Sequence, residues 1–247
     1  MRQKYRTYDY PRQKPVLPER FRGRPVVDGQ SLKNSEQIVQ SCPTGALSVG
    51  NDRDLRLDMG LCIFCGQCEK ICSGTGIKFS REHALATRRR EDLVLTGKEQ
   101  KLAEALDKKA RQLFGHSLKL RQVSAGGCNA CEADINVLNT LLYDLGRFGI
   151  QFVASPRHAD GLLITGPVTK NMELALRKTY AAVPGPKIVI AVGACAISGG
   201  IYANHDETLN GAGSILKVDL FIPGCPPHPW TILDGLLRLL GSLGHSH

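Results

Sequence analysis

From residue 116 onward the apolar positions fall in short unbroken runs, and stretches with helical spacing separate them. Residues 118–123, 150–154, 162–165, 187–192 and 218–222 read as strands, and residues 132–145, 172–182 and 230–240 as helices. Apolar runs alternating with helices predict a parallel sheet covered on both faces. Between residues 26 and 95 the pattern breaks into three strand-like pieces, 47–49, 55–57 and 77–79, parted by turns rich in Gly and Cys, which predicts a small loop-rich α+β domain. From 96 to 115, Leu102, Leu106, Ala110 and Leu113 recur at three or four residues with Lys and Glu elsewhere, the pattern of an amphipathic connecting helix. Residues 1–25 carry Pro11, Pro15 and Pro18 and read as an extended arm. The predicted division is thus 1–25, 26–95, 96–115 and 116–247.

A chain of 247 residues with 42% hydrophobic and 22% charged residues has the ordinary globular mix and enough length for one or two cores. No uncharged apolar run approaches the roughly 18 residues that span a bilayer. The opening MRQKYRTYDY has positive charge without an apolar stretch behind it, so neither a secretory nor an export signal is read there. The formal charge of +9 is uneven, with 24 basic and 14 acidic residues among the first 121 and 8 and 9 among the rest. Residues 1–24 alone hold eight basic side chains and two acids. Nucleic acid is the first partner such a patch suggests, but no recognition-helix motif, aromatic RNA-binding pattern or Cys/His finger accompanies it. An anionic membrane surface, an acidic subunit or plain solvation uses the same charge, and no nucleic acid partner is expected.

Nine cysteines, an odd count, in a chain without an export signal are expected to sit in a reducing cytosol, where spacing decides between metal, catalysis and burial. The segment LCIFCGQCEKIC sets Cys62, Cys65, Cys68 and Cys72 in the bacterial ferredoxin spacing C-x2-C-x2-C-x3-C, although Ser73 stands where Pro usually follows. Upstream, SCPTGAL supplies Cys42 and Pro43, the tail of an earlier run. Counting back by the same spacing meets Leu32, Ser35 and Ile38, none of which can hold iron. In two-cluster ferredoxins the fourth Cys of each run serves the other cluster, so Cys42, Cys62, Cys65 and Cys68 make one complete 4Fe-4S set. Cys72 is the alternative fourth ligand, with Cys42 then merely buried. Four thiolates also suit a structural zinc, although zinc ribbons usually pair two separated knuckles.

The second constellation is spread out. GGCNACE holds Cys128 and Cys131, VGACAISGG holds Cys195, and IPGCPPHP holds Cys225, each directly after a predicted strand. Loops at the carboxyl ends of parallel strands converge on one edge, which predicts a second four-thiolate cage. The alternative makes Cys195 and Cys225 small core residues and Cys128/Cys131 a redox pair. With each cluster adding roughly −2, two filled cages would bring the formal charge to about +5.

Residues 116–240, through RQVSAGGCNACEADINVL, GIQFVASPRHADGLLITGPVTKNM, PKIVIAVGACAISGG and VDLFIPGCPPHPWTILDGLL, resemble the small subunits of NiFe hydrogenases and the homologous cluster-binding subunit of complex I. The complex I branch has adjacent cysteines where this chain has Cys128 and Cys131, which favours the membrane-bound, formate-hydrogenlyase-like branch. The first part, with FRGRPV, SCPTGAL and MGLCIFCGQCEKIC, is similar to the two-cluster ferredoxin subunits of the same complexes, here fused and with one cluster lost. The resemblance implies a flavodoxin-like parallel sheet with helices on both faces, preceded by a ferredoxin-like α+β domain and a basic N-terminal arm. It also implies two 4Fe-4S clusters in series and an electron-relay role on the cytoplasmic side of the membrane, peripherally attached. The partners implied are a NiFe large subunit carrying the catalysis, an electron-donor or other iron-sulfur subunit, and membrane-arm subunits. A complex-I-like quinone or ion-pumping assembly without NiFe is the alternative. Glu132 is the possible proton relay toward the large subunit, or an acid favoured in the first turn of a helix. Arg157 and His158 either line a subunit interface or cap a loop, and the terminal HSH reads as a frayed end.

Overall fold

A strand with apolar side chains on both sides needs cover above and below, and that requirement organises the second half of the molecule. The computed structural model describes residues 6–28, 35–50, 54–72, 76–97, 100–114 and 117–243. Leu32, Ser73 and the histidines of the terminal HSH lie outside the described residues, as do short parts of the arm and connector. The elements in order are β1 (Pro25–Val27), α1 (Ser35–Gln40), β2 (Leu47–Val49), β3 (Leu55–Asp58), α2 (Gln67–Ile71), β4 (Ile77–Phe79), β5 (Val94–Leu95) and α3 (Lys108–Phe114). There follow β6 (Leu118–Ser124), α4 (Ala130–Val137), β7 (Ile150–Phe152), β8 (Gly161–Thr165), α5 (Lys170–Ala182), β9 (Ile188–Val192), α6 (Ala194–Ser198), β10 (Leu220–Ile222) and α7 (Pro229–Leu240).

The last five strands form one parallel sheet in the order β7-β6-β8-β9-β10. Counted within this half that is 2-1-3-4-5, the flavodoxin-like doubly wound order, with its crevice between β6 and β8. Leu162, Ile164, Val189, Ala191 and Phe221 share a core with Leu176 of α5 and Ile197 of α6. Leu163, Ile190, Val192, Leu220 and Ile222 face the opposite way, into a core with α4 and α7. Each such Leu, Ile, Val or Phe side chain, fully buried, is worth about 1.5–3 kcal/mol. Before this sheet come two small antiparallel ones, β1 with β4 and β2-β3-β5. Their buried Leu57, Ile77 and Leu95 join the first of the two cores. Thr87 links the two halves by exchanging both backbone hydrogen bonds with Phe221 of β10, at 3.0 and 2.9 Å.

Two expectations need correction. The connector is helical only over α3, because Ala103 N–H donates to Ala86 O at 2.7 Å and Leu106 N–H to Leu239 O at 2.9 Å. Its backbone donors serve neighbouring segments, so the spaced leucines mark a packed strap. The helix expected over 132–145 stops at Val137, where Thr140 Oγ1 donates to the Val137 carbonyl at 2.8 Å and Asp144 adopts a positive φ of 48°. The arm, for its part, is docked. Tyr8, Tyr10 and Tyr143 surround Trp230 with ring centroids 5.2, 5.1 and 4.5 Å away. Tyr10 Oη donates to Asp234 Oδ1 at 2.9 Å, and Arg147 holds the carbonyls of Tyr8 and Tyr10. With the arm and the strap over it, α7 buries every residue but Arg238.

Candidate iron-sulfur centres

All four cysteines of the second constellation stand at the carboxyl edge of the parallel sheet. Cys128 and Cys131 follow β6 and open α4, Cys195 lies in α6 after β9, and Cys225 follows β10. Backbone comes close to the sulfurs: a Cβ added at Gly193, where φ is 91°, would lie 2.6 Å from Cys131 Sγ, and one at Gly200 2.9 Å from Cys195 Sγ. No side chain fits there, so glycine is required by space as well as by conformation. Burial pushes the Cys131 thiol up, and negative charge at Glu132, Cys195, Cys225 and Cys128 pushes the same way. Cys195 is pushed up to about 11 by burial, then by Cys225 and Cys128, and Cys225 is raised by burial and by Cys128. Burial and neighbouring negative charge thus hold Cys131, Cys195 and Cys225 toward the neutral thiol, and a cationic metal core is what lets such groups ionise together.

The first constellation is built on a shorter frame. Asp58 accepts a bidentate pair from Arg90 at 2.7 and 2.6 Å and the Gly60 N–H at 2.8 Å, which fixes the turn into Cys62. Gly66, at φ 75°, then lets the chain enter α2, which carries Cys68 and ends at Cys72. Phe64 N–H donates to Cys62 Sγ and Ala46 N–H to Cys42 Sγ, both at 3.3 Å, the kind of bond that tunes a cluster. The Cys62 thiol is pushed up to about 12, chiefly by burial, with Cys68, Cys42 and Cys65 adding to it. Cys68 is pushed up to about 11 by burial, then by Cys65, Cys42 and Cys72. Cys42 therefore bears on two thiols of the loop, whereas Cys72 bears on Cys68 and meets the backbone of Ile77. Among the described residues no three His, Cys, Asp or Glu close around a point that one ion could fill.

The helix that carries Cys195 touches the turn that leads into Cys62. Ser198 Oγ, in α6, donates to Gly60 O at 2.7 Å and lies 3.1 Å from Ala194 O. A cavity of about 300 Å³ is lined by Ile63 and Phe64 from the loop of the first set, Pro223 to Pro227 around Cys225 of the second, and Arg20 to Arg22 of the arm. Glu132 is buried in the crevice between β6 and β8, where its Oε1 accepts from Ser124 Oγ and Thr165 Oγ1, each at 2.6 Å. Arg157 and His158 are exposed in a short turn capped by Ser155, by a cavity at the amino edge of the sheet with Lys119 and Pro186, away from both sets. Ser198, Asp58, Arg90, Ser124 and Thr165 carry no motif, and sequence reasoning passes over them.

The family described as NADH ubiquinone oxidoreductase, 20 Kd subunit, matches residues 128–239. The chain is 43% identical over 141 residues to the probable membrane-bound hydrogenase subunit mbhJ of Pyrococcus furiosus, covering 56% of this chain and 84% of that one. It is 46% identical over 122 residues to formate hydrogenlyase subunit 7 of Escherichia coli, covering 49% of this chain and 48% of that one. It is 42% identical over 118 residues to an NADH-quinone oxidoreductase subunit of Geotalea uraniireducens, covering 48% and 69%. Fold and likeness together define the small-subunit class of hydrogenase- and complex-I-like oxidoreductases. The chain belongs to the complex I 20 kDa subunit family, which binds a 4Fe-4S cluster, and carries a further module before the matched span.

Proposed function

We propose that this chain relays single electrons through two 4Fe-4S clusters, to or from the catalytic large subunit of a membrane-associated NiFe hydrogenase of the formate-hydrogenlyase type. The observation that carries the reading is the packing of the Cys62–Cys68 loop against the loops of the second set, through the Ser198–Gly60 hydrogen bond and the cavity that Phe64 and Cys225 both line. When bound, each cluster supplies a one-electron redox centre whose potential follows charge, N–H to sulfur bonds and exposure. Cys42, Cys62, Cys65 and Cys68 hold the first, and Cys128, Cys131, Cys195 and Cys225 the second. The Phe64 and Ala46 N–H groups stabilise negative charge on the first cage, while Gly193 and Gly200 let backbone close over the second. Glu132 ties β6 to β8 beneath Cys131 and so keeps the two loops of the crevice in register. No helix among the described residues is long and apolar enough to cross a membrane, so attachment is assigned to partner subunits, with electron-donor and membrane-arm subunits completing the complex.

Anaerobic purification with iron and sulfide analysis and low-temperature EPR tests the cofactors: about eight of each per chain is expected for two clusters. Zinc without sulfide overturns the relay. The second reading, a complex-I-like quinone or ion-pumping assembly without NiFe, draws on the likeness to the NADH-quinone oxidoreductase subunit of Geotalea uraniireducens. Hydrogen turnover by the complex co-purified with this chain supports the first, and quinone reduction without hydrogen turnover supports the second.

A further inference from the structure

The relay reading gives the basic arm no task, yet residues 20–22 cross the junction between the two cysteine sets. Arg22 lies on the loop of the first one. Its Nη1 is 3.5 Å from the Phe64 carbonyl, and a Cβ added at Gly66 would meet its Nε at 2.5 Å and its Cζ at 3.0 Å. Gly66 sits between Cys65 and Cys68, so a permanent positive charge rests within a residue or two of two thiolates of the cage. The other charges in the cavity beside it, of about 710 Å³, are Glu19, Arg20, Glu69 and Arg81. Glu69 Oε1 accepts the Phe79 N–H at 3.0 Å, and Arg81 is turned onto the carbonyls of Leu17, Pro18 and Glu19. Arg20 lines both this cavity and the one at the junction.

We propose that Arg22 is a potential-setting residue: its guanidinium, delivered by the arm, raises the reduction potential of the cluster held by Cys42, Cys62, Cys65 and Cys68. The inference rests on that cage being filled. One electron enters the cluster and no bond forms or breaks, so the cage gains one negative charge, and a fixed cation beside it stabilises the reduced form. Arg22 is exposed, so solvent and salt weaken the effect without reversing its sign.

The test is an EPR-monitored redox titration of the full-length, cluster-loaded chain at low and high salt, following the signal that Cys62→Ser removes. Arg22→Gln is expected to move that midpoint to more negative potential, and Arg22→Glu about twice as far. Arg22→Lys keeps the charge and is expected to stay near the wild-type value. Arg157→Gln, at the far edge of the sheet, leaves it unchanged. Iron content stays at the wild-type level throughout, and the Arg22→Gln shift shrinks at high salt. A full first-cage signal at the wild-type midpoint in Arg22→Gln and Arg22→Glu overturns the proposal alone. A wild-type chain with no signal lost in Cys62→Ser overturns the proposal together with the relay reading.

Discussion

Whether Cys42 or Cys72 completes the first cage turns on which thiols it meets. Cys42 lies within electrostatic reach of Cys62 and Cys68, and its sulfur already accepts the Ala46 N–H. Cys42→Ser is therefore expected to remove about four of about eight iron atoms per chain, and Cys72→Ser almost none. Iron analysis with EPR decides it, and the reverse pattern would reinstate Cys72. Glu132 makes a second contrast. The buried Thr165 hydroxyl and that of the exposed Ser124 share its Oε1, so Glu132→Ala strands Thr165 while Ser124 can turn to water, and should cost about 1–3 kcal/mol, read from thermal unfolding. Glu132→Gln keeps an acceptor and should cost about 1 kcal/mol with full cluster content and unchanged hydrogen turnover; a turnover collapse with clusters intact would instead give Glu132 the proton role. The cysteines themselves were legible from the chain alone, because Cys62, Cys65 and Cys68 follow a fixed spacing and Cys195 and Cys225 each follow a strand. Arg22, Ser198 and Thr165 were not, because a side-chain contact with a group far away in sequence leaves no period to read.

Among the elements, the strands were the most legible, since runs such as 188–192 are apolar on both sides and admit little else. The strap over residues 100–107 was not, because leucines spaced for a helix serve equally well in an extended segment whose N–H groups find outside partners. The arm shows the same limit: its charge was visible, but nothing in Tyr8 and Tyr10 names Trp230 as their partner. Trp230 is the single tryptophan, so its docking can be tested directly. Removing residues 1–12 is expected to shift tryptophan emission to the red and to expose the outer side of α7. Emission at the wild-type wavelength in the truncated chain would show that the arm contributes no cover there.

On the scale of the whole molecule, the seam between arm, first module and sheet is where acid should act. Burial lowers the His83 pKa from its usual value, against the pull of Asp234 and Glu82, and His228 is lowered by burial and by His83. A histidine with a depressed folded pKa contributes stability that is present above the unfolded value of about 6.5 and is lost as pH falls through the folded one. The unfolding midpoint is thus expected to drop on going from about pH 7 toward about pH 5, and His83→Gln to flatten that slope; an unchanged slope would place the acid sensitivity elsewhere. The division of the chain into two halves was legible from the change of pattern near residue 116. Their shared cores and the Thr87–Phe221 ladder were not, since strand pairing across a boundary is chosen by tertiary fit. The Ser198–Gly60 bond draws out one consequence of having both cysteine sets on a single polypeptide. Separate proteins would need an interface of about 1,200–2,000 Å² to hold two redox centres in register at cellular concentrations. Tethered partners meet at an effective concentration in the millimolar range, so the stoichiometry of the two cysteine sets is fixed at synthesis and their separation is settled by folding, before any assembly begins.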